Sequence, residues 1–439
     1  MPSESRAGRV ALGRRTWTLL LAAVLVGAPA AVLRAACAGR SCDRPAQTAA
    51  DVPFCSLPDA VRARVAAGFR DGRSPDVVAV TRTTGVATGA TAWPAADAGA
   101  ARVPLVFHGA GVDPSASVPA GTGLDDVAPT VAALVGLERP HPEVRSGEAV
   151  PGVATGAPAR LVVEIVLEGV DGADVAGWTE LERLVDDGAG TFDAVVPSEP
   201  LDPAAATTTI GTGGVPREHG VTGTLVRDDG GRLVRAWSRR APVSVIAALG
   251  DDLDELRGGR PRVGLVAGGP VVRGLVGRAW YVDVDRDDVV YARSTRARVD
   301  AAERLLRRGY GDDSEPDLLA VALDGAPAAL DAALGRLAAA AERAAPGDAA
   351  VVVTATGDAA PARGALGARA VERAVERSVG APVVEAVAAG GLFVDQDVVA
   401  AEGIAEDAVV DALAQLRRGG EPVVADAFPA IAVSFARYC

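Results

Sequence analysis

The chain has no lysine, only three histidines and few aromatic residues. Without lysine, every side-chain cation is a guanidinium. The formal net charge is −13, so the basic face that phosphate neutralisation requires is missing, and nucleic acid is excluded as a partner. Aromatics make up 4% of residues, too few for stacking platforms that would hold bases or sugars. Cys37, Cys42, Cys55 and Cys439 show no metal-cluster spacing. Outside the cytoplasm an even cysteine count favours disulfides.

What is present is a globular composition, 49% apolar and 23% charged, in a chain long enough for one large or two ordinary domains. Arg6, Arg9, Arg14 and Arg15 precede an uncharged run, Trp17–Leu33. A basic flank followed by an apolar run makes residues 1–36 an export signal or a membrane anchor. The run is short for a membrane span. Ala28-Pro29-Ala30 offers a small-residue cleavage pattern, while Arg34 spoils a lipoprotein box at Cys37. The protein is expected to be exported, either secreted or anchored at the outer face of the cytoplasmic membrane through this segment. Cleavage and retention both stay open.

Residues 37–54 read as a polar linker. Residues 55–137 alternate helix and strand: PDAVRARVAAGF, DVVAV, RVPLVFHG, and a helix in DDVAPTVAALVGL, with acidic residues and Pro129 at its start and Gly136 at its end. Residues 138–160 are rich in proline and glycine without periodicity and read as a second linker. Residues 161–439 bring further short apolar runs, LVVEIVLEG, APVSVIAAL, RVGLVAG, DLLAVAL and AVVVTATGD, between amphipathic helices. Such alternation predicts an α/β fold, a three-layer sandwich whose central sheet is mostly parallel and covered on both faces.

In open α/β sheets, functional residues gather past the carboxyl ends of the strands. There the chain carries Glu168, the segment TTIGTGGVPREHGVTG with Thr212-Gly213 and Pro216…His219-Gly220, Asp324 after DLLAVAL, and Thr356 in AVVVTATGD. This series resembles the alkaline phosphatase superfamily, especially its type I phosphodiesterase/nucleotide pyrophosphatase branch. RSPDVVAV, VPLVFHGAG and LDDVAPTVAALVGL resemble that family's final segment, yet here they precede its first. The order is that of a circular permutation, with 138–160 joining the ancestral ends, 161–439 holding the amino-terminal and central parts, and 224–316 as the cap or insertion region. A fused fragment followed by an incomplete domain would give the same order. Permutation also opens a cut that a Cys55–Cys439 disulfide would re-close; Cys42–Cys55 with Cys439 free is the alternative.

The resemblance implies two divalent metal ions such as zinc, held by Asp and His, and a Thr or Ser nucleophile at a helix N-terminus. Position by position, this chain departs from that set. The first metal-binding Asp is Glu168. The nucleophile falls on Asp202 or Pro203. The Asp-x-x-x-His motif leaves Asp324 as a relic, with Ala328 four residues on. The Asp-His pair falls on Thr356 and Gly357, and the last His-Gly on Thr88 and Gly89. His108, His141 and His219 occupy no ligand position, so the usual bimetal site cannot be assembled and no cofactor is expected.

Bland readings accompany each position. Asp202-Pro203 is a good N-cap and N1 pair, favoured over a nucleophile. Thr207, Thr208 and Thr209 are more simply helix residues than shifted nucleophiles. Glu168 is more simply paired with arginine or solvated than metal-bound. His108 reads as a strand-end residue, His219 as a brace for the loop after the helix, and VDVDRDD (282–288) as a solvated strand edge. The inventory favours a pseudoenzyme with a binding or structural role. The alternative is an active phosphodiesterase or phosphatase using Glu168 and Asp202 in a rearranged site. Neither reading names a partner.

Overall fold

A computed structural model describes residues 53–239, 241–242, 244–281, 285–436 and 439. Residues 1–36, expected to be an export signal or membrane anchor, nearly all of the first linker, and Cys37 and Cys42 lie outside the described residues. Among the described residues, no helix is long and apolar enough to cross a membrane.

The first segment folds as helix α1 (Asp59–Gly68), strand β1 (Val77–Thr81), strand β2 (Arg102–Gly109) and helix α2 (Val127–Leu134). After 138–160 come β3 (Leu161–Leu167), α3 (Thr179–Asp186), β4 (Ala189–Val195) and α4 (Pro203–Thr212). Next are α5 (Leu249–Leu256), β5 (Val263–Ala267), β6 (Asp288–Tyr291), α6 (Thr295–Leu306), β7 (Asp317–Leu323), α7 (Pro327–Ala344) and β8 (Ala349–Ala355). The chain closes with α8 (Ala368–Val379), β9 (Val384–Ala388), β10 (Gly391–Val394), α9 (Glu406–Ala414), β11 (Val424–Pro429) and α10 (Ala430–Ser434).

Seven strands form the large sheet in the order β6-β5-β7-β3-β8-β2-β4. All run parallel except β2, which is antiparallel to both of its neighbours. Strands β3, β7 and β8 are buried at every position, so both faces of the sheet are covered. One helix group (α3, α6, α7) packs on the sheet. Helices α2, α4 and α5 form another and bring Val131, Ile210 and Leu253 into the same core. The fold is α/β with a mostly parallel central sheet between helical layers.

A second sheet, β9-β10-β1-β11, is antiparallel throughout. The apolar run at β1 was expected to be a parallel strand. Instead Val77 and Ala79 join one core with Val375 and Leu413, while Val78 and Val80 join another with Val61 and Phe428. A strand covered on both faces reads the same whichever way its neighbours run. APVSVIAAL is also not a strand: the described part of 241–248 is irregular, because the Ser244 hydroxyl turns back onto the Ile246 carbonyl and the Val245 amide is taken by the His219 carbonyl.

Residues 55–137 and 161–439 share both sheets. The first segment places β2 between β8 and β4, and β1 between β10 and β11. Cys55 is joined to Cys439 by a disulfide, with Cα atoms 5.2 Å apart. Residues 138–160 carry one short 3-10 helix (Pro142–Val144), and Arg139 and Arg145 converge on the buried Asp252. Residues 224–316 supply β5 and β6 at one edge of the large sheet. Of the run 282–288, expected to be a solvated strand edge, 282–284 lie outside the described residues. Asp285 and Arg286 are exposed and β6 is the edge strand, but the Asp287 side chain is turned in against Arg273 at 2.5 Å. That burial pushes its carboxyl up to about 8 despite the guanidinium.

Candidate functional site

Glu168 follows the last residue of β3, its amide bonded to the Leu323 carbonyl at the end of β7. Between Glu168 and Asp324 lies a guanidinium that nothing in the local sequence announces. Arg298, from the first turn of α6, is 3% exposed in its side chain. Its Nη1 is 2.9 Å from Asp324 Oδ1 and 3.4 Å from Glu168 Oε1, and it also donates to the Ala322 carbonyl. Its Nε donates to the Ala292 carbonyl at 2.8 Å. Burial raises the Glu168 carboxyl above the usual range, Arg298 pulls it back and Asp324 raises it again. Two of the positions assigned to metal therefore meet around a built-in cation.

Asp202 sits on α4 as expected for a cap. Its Oδ1 accepts from the Ala204 amide at 2.9 Å and from the Thr224 hydroxyl at 3.0 Å, and Pro203 takes the first helical position. The carboxyl is buried and raised for that reason, with these hydrogen bonds opposing. A carboxylate at this place occupies the amide that would otherwise receive an anion.

Asp202 lines a cavity of about 450 Å³ together with Thr88, Glu199, Thr222 and Thr224, against an apolar wall that includes Val65 and Phe69. Thr88 is already satisfied: its hydroxyl donates to the Ala388 carbonyl and accepts from Trp93 Nε1. A second cavity, about 510 Å³, is lined by Asp171, Asp193 and Asp358 with Trp93 and Phe192. Pro94, Glu199 and Pro200 line both.

The other predicted positions do not converge on these cavities. Thr356 accepts from the Gly169 amide at 2.9 Å and so ties the ends of β8 and β3 together. Gly357 has φ +80°, and a Cβ there would meet Ala101 at 3.0 Å. The Thr207 and Thr208 hydroxyls donate to the Pro203 and Ala204 carbonyls, and Thr209 meets His219 Nε2 at 3.1 Å. His219 also accepts from the Val221 amide through Nδ1, which makes it the brace for that loop. His108 lies in β2 and the exposed His141 pairs with Glu143. Among the described residues, no group of three or more His, Cys, Asp or Glu is arranged to hold a metal ion.

Sequence reasoning missed Arg298, Glu199 and Thr222. Glu199 Oε1 accepts from Arg64 Nε at 2.7 Å in a buried pair, while Glu199 Oε2 and Thr222 Oγ1 are buried without hydrogen-bond partners. A signal existed only for Glu199, an acidic residue three positions ahead of the Asp202 cap.

No family model and no curated protein matches the chain. Among solved structures, phosphonoacetate hydrolase from Sinorhizobium meliloti 1021, in complex with phosphonoacetate, matches with a TM-score of 0.30 and 16% sequence identity. The match covers 47% of this chain and 58% of that one, so the chain spans less than two thirds of that enzyme. A likeness this partial assigns neither ligand nor reaction.

Proposed function

We propose that this chain is an exported, circularly permuted relative of the alkaline phosphatase superfamily whose ancestral metal positions at Glu168 and Asp324 are closed by an ion pair, leaving a metal-free cavity beside Asp202 as the binding site. Arg298 carries the reading. Its guanidinium lies between Glu168 and Asp324, the carboxylates that the motif resemblance assigns to metal, pairs with both and offsets one of their two negative charges. A divalent ion would have to enter beside a buried cation, which is unfavourable at short range in a poorly solvated site. The nucleophile position offers a second reason: Asp202 brings a carboxylate where an attacking hydroxyl is wanted, and it caps α4. Interleaving of β1 and β2 with strands from 161–439 supports the permutation, as does the Cys55–Cys439 bridge across the proposed cut.

The test is elemental mass spectrometry on the purified exported protein, with p-nitrophenyl phosphodiester and monoester assays in added zinc and manganese. Expected are no stoichiometric metal and no turnover. Two metals per chain, with turnover lost in Glu168→Ala, would overturn the reading in favour of a working phosphodiesterase built on Glu168 and Asp202. Amino-terminal sequencing of secreted and membrane fractions tests export, and decides between a cleaved signal and an anchor at 1–36.

A further inference from the structure

Three acidic or hydroxyl side chains around the first cavity have needs the protein itself does not meet. Asp202 is buried, and the donors around it, the Ala204, Ala205 and Thr224 amides and the Thr224 hydroxyl, are all neutral. Among the described residues it has no ion pair. Thr222 is 6% exposed and its Oγ1 has no partner. Glu199, also 6% exposed, satisfies one oxygen with Arg64 and leaves the other without a partner. Buried polar groups are almost always hydrogen-bonded, so two unpartnered ones lining a single cavity point to something that binds there. An unpaired buried carboxylate adds a sign: it is stabilised by a cation and made worse by an anion.

The surroundings carry the same sign. Beyond the wall of Pro94 and Pro200, the second cavity adds Asp171 and Asp358, while its Asp193 is offset by Arg102 at 3.5 Å. Arg64 is committed to Glu199, and Arg235 at the first cavity is exposed, where solvent and salt screen it. Val65 and Phe69 give the first cavity an apolar side, so a bare inorganic cation would leave part of it unfilled.

We propose that the cavity beside Asp202 binds a small protonated organic amine, its ammonium group against Asp202 and the Thr222 hydroxyl and its hydrocarbon portion against Val65 and Phe69. The inference rests on the metal-free reading of the site. An ammonium offers three donors and no acceptor, matching a pocket short of donors. A phosphate ester is the wrong partner, because Asp202 repels it and occupies the Ala204 amide. An uncharged alcohol fills the apolar side but leaves the carboxylate unpaired.

The experiment is calorimetric titration of the full chain with n-hexylamine, 1-hexanol and p-nitrophenyl phosphate, in wild type, Asp202→Asn and Thr222→Val. Asparagine caps a helix about as well as aspartate, so Asp202→Asn removes the charge while keeping the cap. Circular dichroism checks its folding, and Thr222→Val carries the test if that variant misfolds. Expected are one saturable hexylamine site, hexanol at least tenfold weaker, and hexylamine weakened at least tenfold by Asp202→Asn and about threefold by Thr222→Val. No amine binding, equal binding in wild type and Asp202→Asn, or preference for p-nitrophenyl phosphate overturns the proposal. Metal-dependent turnover of the phosphate ester would overturn the metal-free reading itself. Inert protein that ignores hexylamine leaves that reading standing and removes only this inference.

Discussion

The Glu168 end and the Asp202 end of the strand-end region treat a sequestered carboxylate in opposite ways. At Glu168 a guanidinium arrives from another helix and completes an ion-paired plug with Asp324. At Asp202 only neutral donors approach, and a cavity remains beside the carboxylate. The difference is one of origin. Capping is local and needs only Asp202-Pro203 and the amides that follow, whereas neutralisation needs Arg298, placed by α6 and the strands on either side of it. A charge met from within closes a site, and one met only by dipoles leaves it open to a ligand.

Glu164 is the limiting case, and it gives the largest expected effect. It lies in β3 between Ala320 and Val352, is 2% exposed, and has an Oε1 without a partner. Burial alone pushes its carboxyl from 4.5 up to about 8. The folded state therefore keeps a proton that the unfolded chain releases above pH 4.5. This contribution is fully present below that pH and is lost as pH rises through about 8. At about 1.4 kcal/mol per pH unit over the roughly 3.5 units between 4.5 and about 8, the loss amounts to at most about 5 kcal/mol. The difference between wild type and Glu164→Gln in urea unfolding at pH 5 and pH 8 reads it. Wild type should fall more steeply across that interval than Glu164→Gln, whose remaining slope comes from Asp287 and other raised carboxyls, and Glu164→Leu should be more stable than wild type at pH 8. A wild-type profile as flat as that of Glu164→Gln would mean the carboxyl is met after all, and the contrast among the three carboxylates would fail.

Removing the internal cation should come next. Arg298→Met leaves Glu168 and Asp324 without a cation and two carbonyls without a donor. Breaking a buried pair costs about 3–5 kcal/mol. Asp324 is 58% exposed in its side chain, so solvent recovers part of that and about 2–3 kcal/mol is expected from denaturant midpoints. Arg298→Lys should recover only part of the loss, since one ammonium cannot reproduce the separate Nε and Nη1 contacts. Zinc in the same experiment sharpens the comparison: stabilisation of Arg298→Met but not of wild type would mean that the guanidinium stands where a metal can.

What the sequence made legible follows the same local-against-distant division. The runs at β3, β7 and β8, the helix after Asp125-Asp126 and the Asp202 cap were readable because each is encoded by neighbours along the chain. The antiparallel direction of β2 was not, because its buried stretch Val103–Phe107 is covered on both faces and reads the same whichever way its neighbours run. Asp287 was misread for the opposite reason: an acidic run looks solvated until Arg273 is folded against it. Arg298 lies 130 positions from Glu168 in sequence. No spacing rule links the two, since the contact is made by the parallel order β5-β7-β3 and by the helix that leads into β7.

The smallest expected effect separates the two roles of Asp202. As a cap it contributes through the Ala204 amide, so Asp202→Ala should cost about 1 kcal/mol and Asp202→Asn a few tenths. As an unpaired carboxylate it should oppose folding when ionised, because burial raises its carboxyl above the ordinary range. The two terms have opposite signs at neutral pH, so Asp202→Asn, which keeps the first and deletes the second, should be at least as stable as wild type at pH 8. Thermal unfolding of the three proteins at pH 5 and pH 8 distinguishes them. If Asp202→Asn is as damaging as Asp202→Ala at pH 8, the negative charge is being stabilised inside the protein, and the Asp202 end is closed in the same sense as the Glu168 end.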